Sequence, residues 1–316
     1  MQPAKEHRPS PKTVESIIEL IGNTPMLHLN RVVPENAADV FAKLEYLNPG
    51  LSVKDRPALG MILDAEERGV LKPGATIIEP TAGNTGIGLA LVARAKGYRV
   101  ILVVPDGYSK EKQLLMQALG GEVVSVPMAE GMKAAIRRAE ELSAEIPDSF
   151  IPQQFTNPAN PDFHAATTGR EIFEQMDGRI DAIVIGSGSG GTFTGVARYL
   201  RERLPDMQCF SVESEGSALG GGEPYPHRLE GIGSTFVPAN FDAELCCEII
   251  VANDCDAFGM TKRLAAEEGV LSGGSGGANV WAAIEVATRL GAGRRIVTII
   301  PDSSERYMSK GIFDQA

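Results

Sequence analysis

A chain of 316 residues has room for one large α/β domain or two modest ones around a shared cleft. Its 43% hydrophobic and 22% charged content is that of an ordinary globular protein. A formal net charge of −11 opposes any nonspecific hold on nucleic acid or on an anionic membrane surface. The longest apolar runs, such as Val100-Ile101-Leu102-Val103-Val104, are far too short to span a bilayer, and the opening MQPAKEHRPSPK has charge but no apolar stretch behind it. A cytoplasmic location is therefore expected. Cys209, Cys246, Cys247 and Cys255 show no CxxC spacing, and His7, His28, His164 and His227 are scattered. This pattern predicts reduced, partly buried thiols and no metal site.

The first strand-like run is Val40–Leu44, followed by a turn at Asn48-Pro49-Gly50 and a helical pattern entered through Ser52–Arg56. From about Gly74 a regular alternation sets in. Strand Thr76–Glu79 leads to helix Gly86–Ala95, apolar on every side. Strand Arg99–Val104 leads to helix Lys110–Leu119, closed by Gly120-Gly121. Strand Glu122–Val126, helix Gly131–Glu145 and strand Phe150–Gln153 follow. After the loop Asn157–Pro161 come helix Phe163–Met176, strand Asp181–Ile185, helix Thr192–Arg203 and strand Gln208–Glu213. The segment Gly216–Pro238 is rich in Gly and Pro with little periodicity, a loop long enough to suspect function. Helix Asp256–Glu268, helix Ala278–Leu290 and strand Arg295–Ile300 complete the series. Strands alternating with helices call for parallel sheets covered on both faces.

Four places carry chemistry. Lys54 sits at the junction of a turn and a helix, where it can project into a cleft. Desolvation there favours its neutral amine, which attacks aldehydes as an ammonium cannot. Thr81-Ala82-Gly83-Asn84-Thr85-Gly86 joins a strand to a helix at the carboxyl edge of the sheet, where ligands of α/β proteins bind. A carboxylate or a phosphate suits its backbone N–H groups, and a tight turn explains it equally well. Gly186-Ser187-Gly188-Ser189-Gly190-Gly191-Thr192 has the make-up of a phosphate cradle that needs no basic residue. It also satisfies GxGxxG, with Glu213 about where the ribose-binding acid of a dinucleotide site falls, so alone it points to a nicotinamide oxidoreductase. Ser272-Gly273-Gly274-Ser275-Gly276-Gly277 is dense enough in glycine to imply a close backbone approach, with Ser275 as its central hydrogen-bonding side chain.

In order along the chain, several segments resemble the cysteine synthase and cystathionine β-synthase family of pyridoxal-phosphate (PLP) enzymes. They are Ile21–Pro25, Ala42–Arg56, the TxGNTG stretch at Thr81, Gln154–Pro158, Gly188–Thr192, Glu230–Gly233 and Pro301–Ser303. The resemblance implies fold type II: two three-layer α/β domains with mostly parallel sheets and PLP in the cleft between them. Residues 46–153 would be the smaller, mobile substrate-binding domain, and residues 1–45 with 154–316 the larger, phosphate-binding one. It implies that Lys54 forms the Schiff base, that Asn84 hydrogen-bonds the ring hydroxyl, and that Gly188, Ser189, Gly190, Gly191 and Thr192 hold the phosphate. Ser275 would face the pyridine nitrogen. Thr81, Ala82, Gly83, Asn84, Thr85 and Gln154 would grip the substrate carboxylate, with Gly231 on a loop that moves over the site. The implied reaction is β-replacement on O-acetylserine, or another activated serine, by a thiol nucleophile. Sulfide gives cysteine; homocysteine gives cystathionine. A homodimer is implied as well.

Two positions depart from the family pattern. Leu51 stands where a second glycine is common, and Ala82 replaces a frequent serine. Glu230 in EGIG is similar to cystathionine-forming members, where many cysteine synthases carry glutamine. The oxidoreductase remains the alternative from another class, and it leaves Lys54 and two glycine stations unused.

Overall fold

The computed structural model describes residues 13–81, 83–107, 109–221 and 225–313. The chain opens with an antiparallel pair, β1 (Met26–Leu29) and β2 (Asp39–Leu44). It then leaves that sheet through α1 (Asp55–Glu67) to build a second one. β3 (Thr76–Pro80), α2 (Asn84–Lys96), β4 (Arg99–Pro105), α3 (Lys110–Ala118), β5 (Glu122–Val126), α4 (Gly131–Glu145) and β6 (Ser149–Phe150) follow. Their strands lie in the order β5-β4-β3-β6, all parallel.

The chain returns through α5 (Ala159–His164) and α6 (Arg170–Gln175) to β7 (Ala182–Gly186), α7 (Gly191–Arg201), β8 (Gln208–Ser214) and β9 (Glu248–Ala252). It ends with α8 (Asp254–Arg263), α9 (Gly274–Leu290) and β10 (Arg295–Ile300). β10 inserts between β2 and β7, giving the order β1-β2-β10-β7-β8-β9, parallel but for β1.

Alternate residues of each central strand point to opposite faces, and both faces are covered. On the four-stranded sheet Ile78, Ile101 and Val103 pack with Ala135 and Ala139 of α4. Ile77, Leu102 and Val104 pack with Leu89, Ala90 and Ile62 on the other side. On the six-stranded sheet Ile183, Ile185 and Val297 face Phe193 and Val196 of α7. Val184 and Ile296 face Val280 and Ala283 of α9. Apolar positions on all sides of α2 are accounted for: Thr85 to Ala93 are buried without a break.

The mostly parallel, two-sheet α/β architecture is the expected one, with local differences. β1 and β9 were not anticipated; both are edge strands, short and only half-buried, so their periodicity is faint. β6 stops at Phe150, because Pro152 lacks an N–H and Gln153 turns to φ 57°. Wide turns at 165–169 and 264–268 interrupt the helical stretches after α5 and α8. α9 starts at Gly274 and not at Ala278, which moves Ser275 into its first turn. Of the cysteines Cys209 is buried, whereas Cys247 and Cys255 are exposed. Among the described residues no helix is long and apolar enough to cross a membrane.

Candidate active site

The turn after β2 builds the seat of Lys54. Gly50 donates its N–H to the carboxylate of Asp55, and a Cβ on Gly50 would lie 2.3 Å from Asp55 Oδ1. A side chain there would displace the Asp55 carboxylate from that bond. Leu51 takes φ 59°, the left-handed region that glycine favours, with its side chain in solvent. The turn is tied to the end of β10: Val53 donates its N–H to the Pro301 carbonyl at 2.8 Å, and Ser52 bridges to Asp302. Lys54 follows as the residue preceding α1. Burial lowers its amine below the ordinary lysine value, with the Asp302 carboxylate pulling the other way.

A buried ionic network underlies this junction. The Arg56 guanidinium bonds both oxygens of Glu45 (2.7 and 2.8 Å) and both of Glu171 (2.7 and 2.8 Å). Lys43 reaches Glu171 at 2.9 Å. These side chains come from β2, the turn behind it, α1 and α6, so the network clamps both chain segments that cross between the sheets.

The first glycine station closes β3 and opens α2. Thr85 Oγ1 donates to Gln154 Oε1 at 2.6 Å, bringing together two of the predicted carboxylate-gripping residues. Gln153 and Gln154 in turn give their N–H groups to Glu79 (3.0 and 3.3 Å), whose carboxyl is pushed up to about 7 by burial, those two bonds opposing. Ala82 lies outside the described residues. Asn84 is the first residue of α2; its Nδ2 donates to Asp302 Oδ2 at 2.6 Å, and its Oδ1 accepts from Arg306.

The second station joins β7 to α7, and its glycines leave no room for side chains. Gly190 has φ 81°, and a Cβ there would meet the Phe241 nitrogen at 2.6 Å. On Gly191 it would meet Asn160 Oδ1 at 2.0 Å, and on Gly188 the Gly231 carbonyl at 2.1 Å. The hydroxyls are oriented from behind. Asn160 Nδ2 donates to Ser189 Oγ at 3.1 Å. Thr192 Oγ1 lies 3.1 Å from His164 Nε2, whose Nδ1 contacts Thr168 Oγ1 at 2.8 Å. His164 is lowered to about 3, first by burial and then by the nearby Arg56 charge, so the ring is neutral. Its orienting role was missed in the sequence, where it is one histidine among four. Ser187 faces away, bonding Ser211 at 2.8 Å.

Glu213, the acid a dinucleotide site would use, is fully buried and accepts the Gly233 N–H at 3.1 Å. Burial pushes it up to about 8, the Ser217 and Gly233 hydrogen bonds opposing. The GxGxxG segment therefore has no open acid for a ribose. The loop that Glu213 secures carries Gly231, exposed at φ 91°, against Gly188.

At the third station, packing explains most of the glycine. A Cβ on Gly276 would lie 2.1 Å from Ser272 Oγ, and one on Gly277 2.2 Å from the Ala257 carbonyl. Ser275 is buried in the first turn of α9, and a Cβ built on Gly231 would lie 3.6 Å from its Oγ. Asp302 stitches the stations together: Asn84, Tyr307 and the Gly273 N–H all bond it. Across the cleft, Lys112 of α3 donates to Glu230 Oε2 at 2.6 Å, and Lys310 bonds the other oxygen. Burial alone would raise Glu230; these two lysines hold it below the ordinary carboxylate range.

The chain matches the family model described as pyridoxal-phosphate dependent enzyme over residues 17–302. It is 48% identical to a cysteine synthase of Staphylococcus aureus over 304 residues, 96% of this chain and 98% of the relative. It is 49% identical over 302 residues to an O-acetylserine dependent cystathionine β-synthase of Bacillus subtilis, 95% and 98% of the two chains. The crystal structure of an O-acetylserine dependent cystathionine β-synthase from Helicobacter pylori superposes with a TM-score of 0.92 at 43% identity, covering 96% of this chain and 99% of that one.

Proposed function

The chain belongs to the pyridoxal-phosphate dependent enzymes, and from that membership we propose that it replaces the β-substituent of O-acetylserine, or another activated serine, by a thiol nucleophile. Sulfide is the leading acceptor, with cysteine as product. The observation that carries the reading is the placement of Lys54 in a turn tied to Pro301 and Asp302, the same Asp302 that Asn84 of the first glycine station and Gly273 of the third bond.

The side chains present suit the cofactor. The cradle of Gly188, Ser189, Gly190, Gly191 and Thr192 offers a helix N-terminus and two buried hydroxyls to a phosphate, and its glycines sit too close to Gly231, Phe241 and Asn160 to carry a Cβ without displacing them. Ser275 offers a neutral hydroxyl to the ring nitrogen, which leaves that nitrogen free of an imposed positive charge. Asn84 is the donor assigned to the ring hydroxyl. Bound there, the cofactor supplies the electron sink that lets a Cα proton and a β-leaving group depart.

Lys54 would be the covalent attachment point for the cofactor, and its amine, when free, would be the base that takes the Cα proton onto Nζ. Burial lowers its affinity for protons, which favours the neutral amine this role needs. Thr81, Ala82, Gly83, Asn84 and Thr85, with Gln154 bonded to Thr85, orient the substrate carboxylate. Gly231 rides on the loop that excludes water. Residues 46–153 act as the smaller, mobile domain and residues 1–45 with 154–316 as the larger; a cytoplasmic homodimer is part of the same proposal.

Cystathionine formation from homocysteine is the second reading, favoured by Glu230 and its ion pairs to Lys112 and Lys310. Purified protein supplied with O-acetylserine and either sulfide or homocysteine decides between them: cysteine or cystathionine is quantified. Borohydride reduction should fix the cofactor to the peptide containing Lys54. Release of pyruvate with neither thiol product, or full activity in Lys54→Ala, would overturn the proposal.

A further inference from the structure

The turn at residues 304–310, whose Lys310 pairs with Glu230, also holds a buried arginine that has no part in the mechanism above. Arg306 is 4% exposed and donates to two places: the Gly50 carbonyl in the lysine turn, and Asn84 Oδ1 at the start of α2. A guanidinium carries donors only, so the amide atom facing it must be the oxygen. The Asn84 NH2 group then points the other way, and one of its hydrogens is taken by Asp302 Oδ2 at 2.6 Å. Asp302 is itself held by the Tyr307 hydroxyl and bridged to Ser52. Asp302, which accepts, and Arg306, which only donates, thus hold the amide from both sides. Here it has one orientation, with a single NH2 hydrogen left over for a ligand.

We propose that Arg306 is a positioning residue: opposite Asp302, it holds the Asn84 amide as a donor toward the cofactor's ring oxygen, and it alone ties that donor to the Gly50 carbonyl in the turn bearing Lys54. The inference rests on the site reading above, since it needs the cofactor ring beside Asn84. Its consequence is spectroscopic. A donor held on the ring oxygen sets the proton distribution between that oxygen and the Lys54 nitrogen, so the visible band and its pH titration report the amide's orientation.

The test is a double-mutant cycle on the holoenzyme, with Asn84→Ala, Arg306→Met and the pair, read by the visible band from pH 6 to 10 and by the rate of cofactor loss on dilution. Arg306→Met should reproduce most of the Asn84→Ala band shift and speed cofactor loss about ten-fold, the effect of removing one hydrogen bond to a charged group. The double variant should shift no further. Arg306→Lys, which keeps the charge and reaches one of the two acceptors, should fall between and serves if Arg306→Met does not fold. If Asn84→Ala shifts the band and neither arginine variant does, the inference fails and the site reading stands. If Asn84→Ala leaves the band unmoved, the site reading itself fails.

Discussion

Removing the Arg56 guanidinium tests whether the buried network beneath Lys54 holds the two sheets in place. Burial alone would raise the Glu45 carboxyl, but Arg56, by charge and by hydrogen bonds, with Lys43 and Thr24, holds it at about 2 against an ordinary 4.5. That gap is worth roughly 3 kcal/mol of stability. A depressed carboxylate contributes fully above its unfolded value, so this share is present above about pH 4.5 and is lost as pH falls toward 2. Arg56→Met leaves Glu45 and Glu171 with Lys43 as their only buried cation in the network. Breaking a buried pair by deleting one partner costs about 3–5 kcal/mol, which agrees with the titration figure. The pH dependence should also invert. Without Arg56, burial dominates Glu45, so the variant gains stability by taking up a proton as pH falls from 7 to 5. Urea unfolding of both proteins at pH 5, 6 and 7 measures the difference. A deficit under about 1 kcal/mol at pH 7, or one that does not shrink by pH 5, would refute the account.

Gly191→Ala drives a methyl into Asn160 Oδ1, 2.0 Å from the built Cβ, displacing the amide that orients Ser189. It should weaken cofactor retention at least ten-fold and cost about 1–3 kcal/mol, checked by dialysis and by melting of the holoenzyme. Glu213→Gln keeps an acceptor for Gly233 and puts an NH2 where Oε1 has no hydrogen-bond partner. A raised carboxyl contributes fully below pH 4.5 and its contribution is lost as pH rises through about 8. The variant should therefore match the parent below pH 5 and exceed it by on the order of 2–4 kcal/mol above pH 8, and parallel urea midpoints across that range would contradict this. Leu51→Gly relieves a left-handed leucine, worth about 1 kcal/mol, and adds unfolded-chain entropy of about the same size. Its unfolding midpoint should barely move; a large loss would mean the exposed side chain packs against something.

The parts of the site that could be read from the sequence are those whose signal is local. A strand, a glycine-rich turn and a helix start within a dozen residues announce the stations at Thr81 and Gly186, and Lys54 follows a turn whose Gly50 leaves room for the Asp55 carboxylate. Local signal also misleads. The third station is as rich in glycine as the second, and in both the glycines answer first to protein neighbours: Gly276 and Gly277 to Ser272 and Ala257, Gly188 and Gly190 to Gly231 and Phe241. Nothing in the sequence tells which neighbour a glycine is cleared for, or whether the segment that carries it faces a ligand. GxGxxG with Glu213 at the right distance fails for the same reason. Spacing places the acid at the end of β8, but only the path of the following loop decides that Gly233 covers it.

What the sequence hid is the set of contacts that turns separate stations into one site. Asn84 meets Asp302 across 218 residues and Arg306 across 222, and Gly50 meets Arg306 across 256. These pairs exist because β10 inserts between β2 and β7, which brings the turn after β10 against the turn after β2. An arginine in a polar tail reads as a solvated charge until the strand order is known. Strand order is set by the packing of whole helices, so no window of sequence carries it. The ionic network draws on β2, α1 and α6 because the chain crosses between the two sheets at these elements. Residues 45–55 leave the six-stranded sheet at β2, the chain comes back to it through α5 and α6, and a buried charge pair fixes the spacing of both crossings where an apolar contact would let them slide. A hinge between the sheets, if the smaller unit moves, must then lie outside Glu45, Arg56 and Glu171. Hydrogen exchange should find these backbone amides among the slowest of the segments that join the two sheets, and rapid exchange there would place the hinge at the network itself.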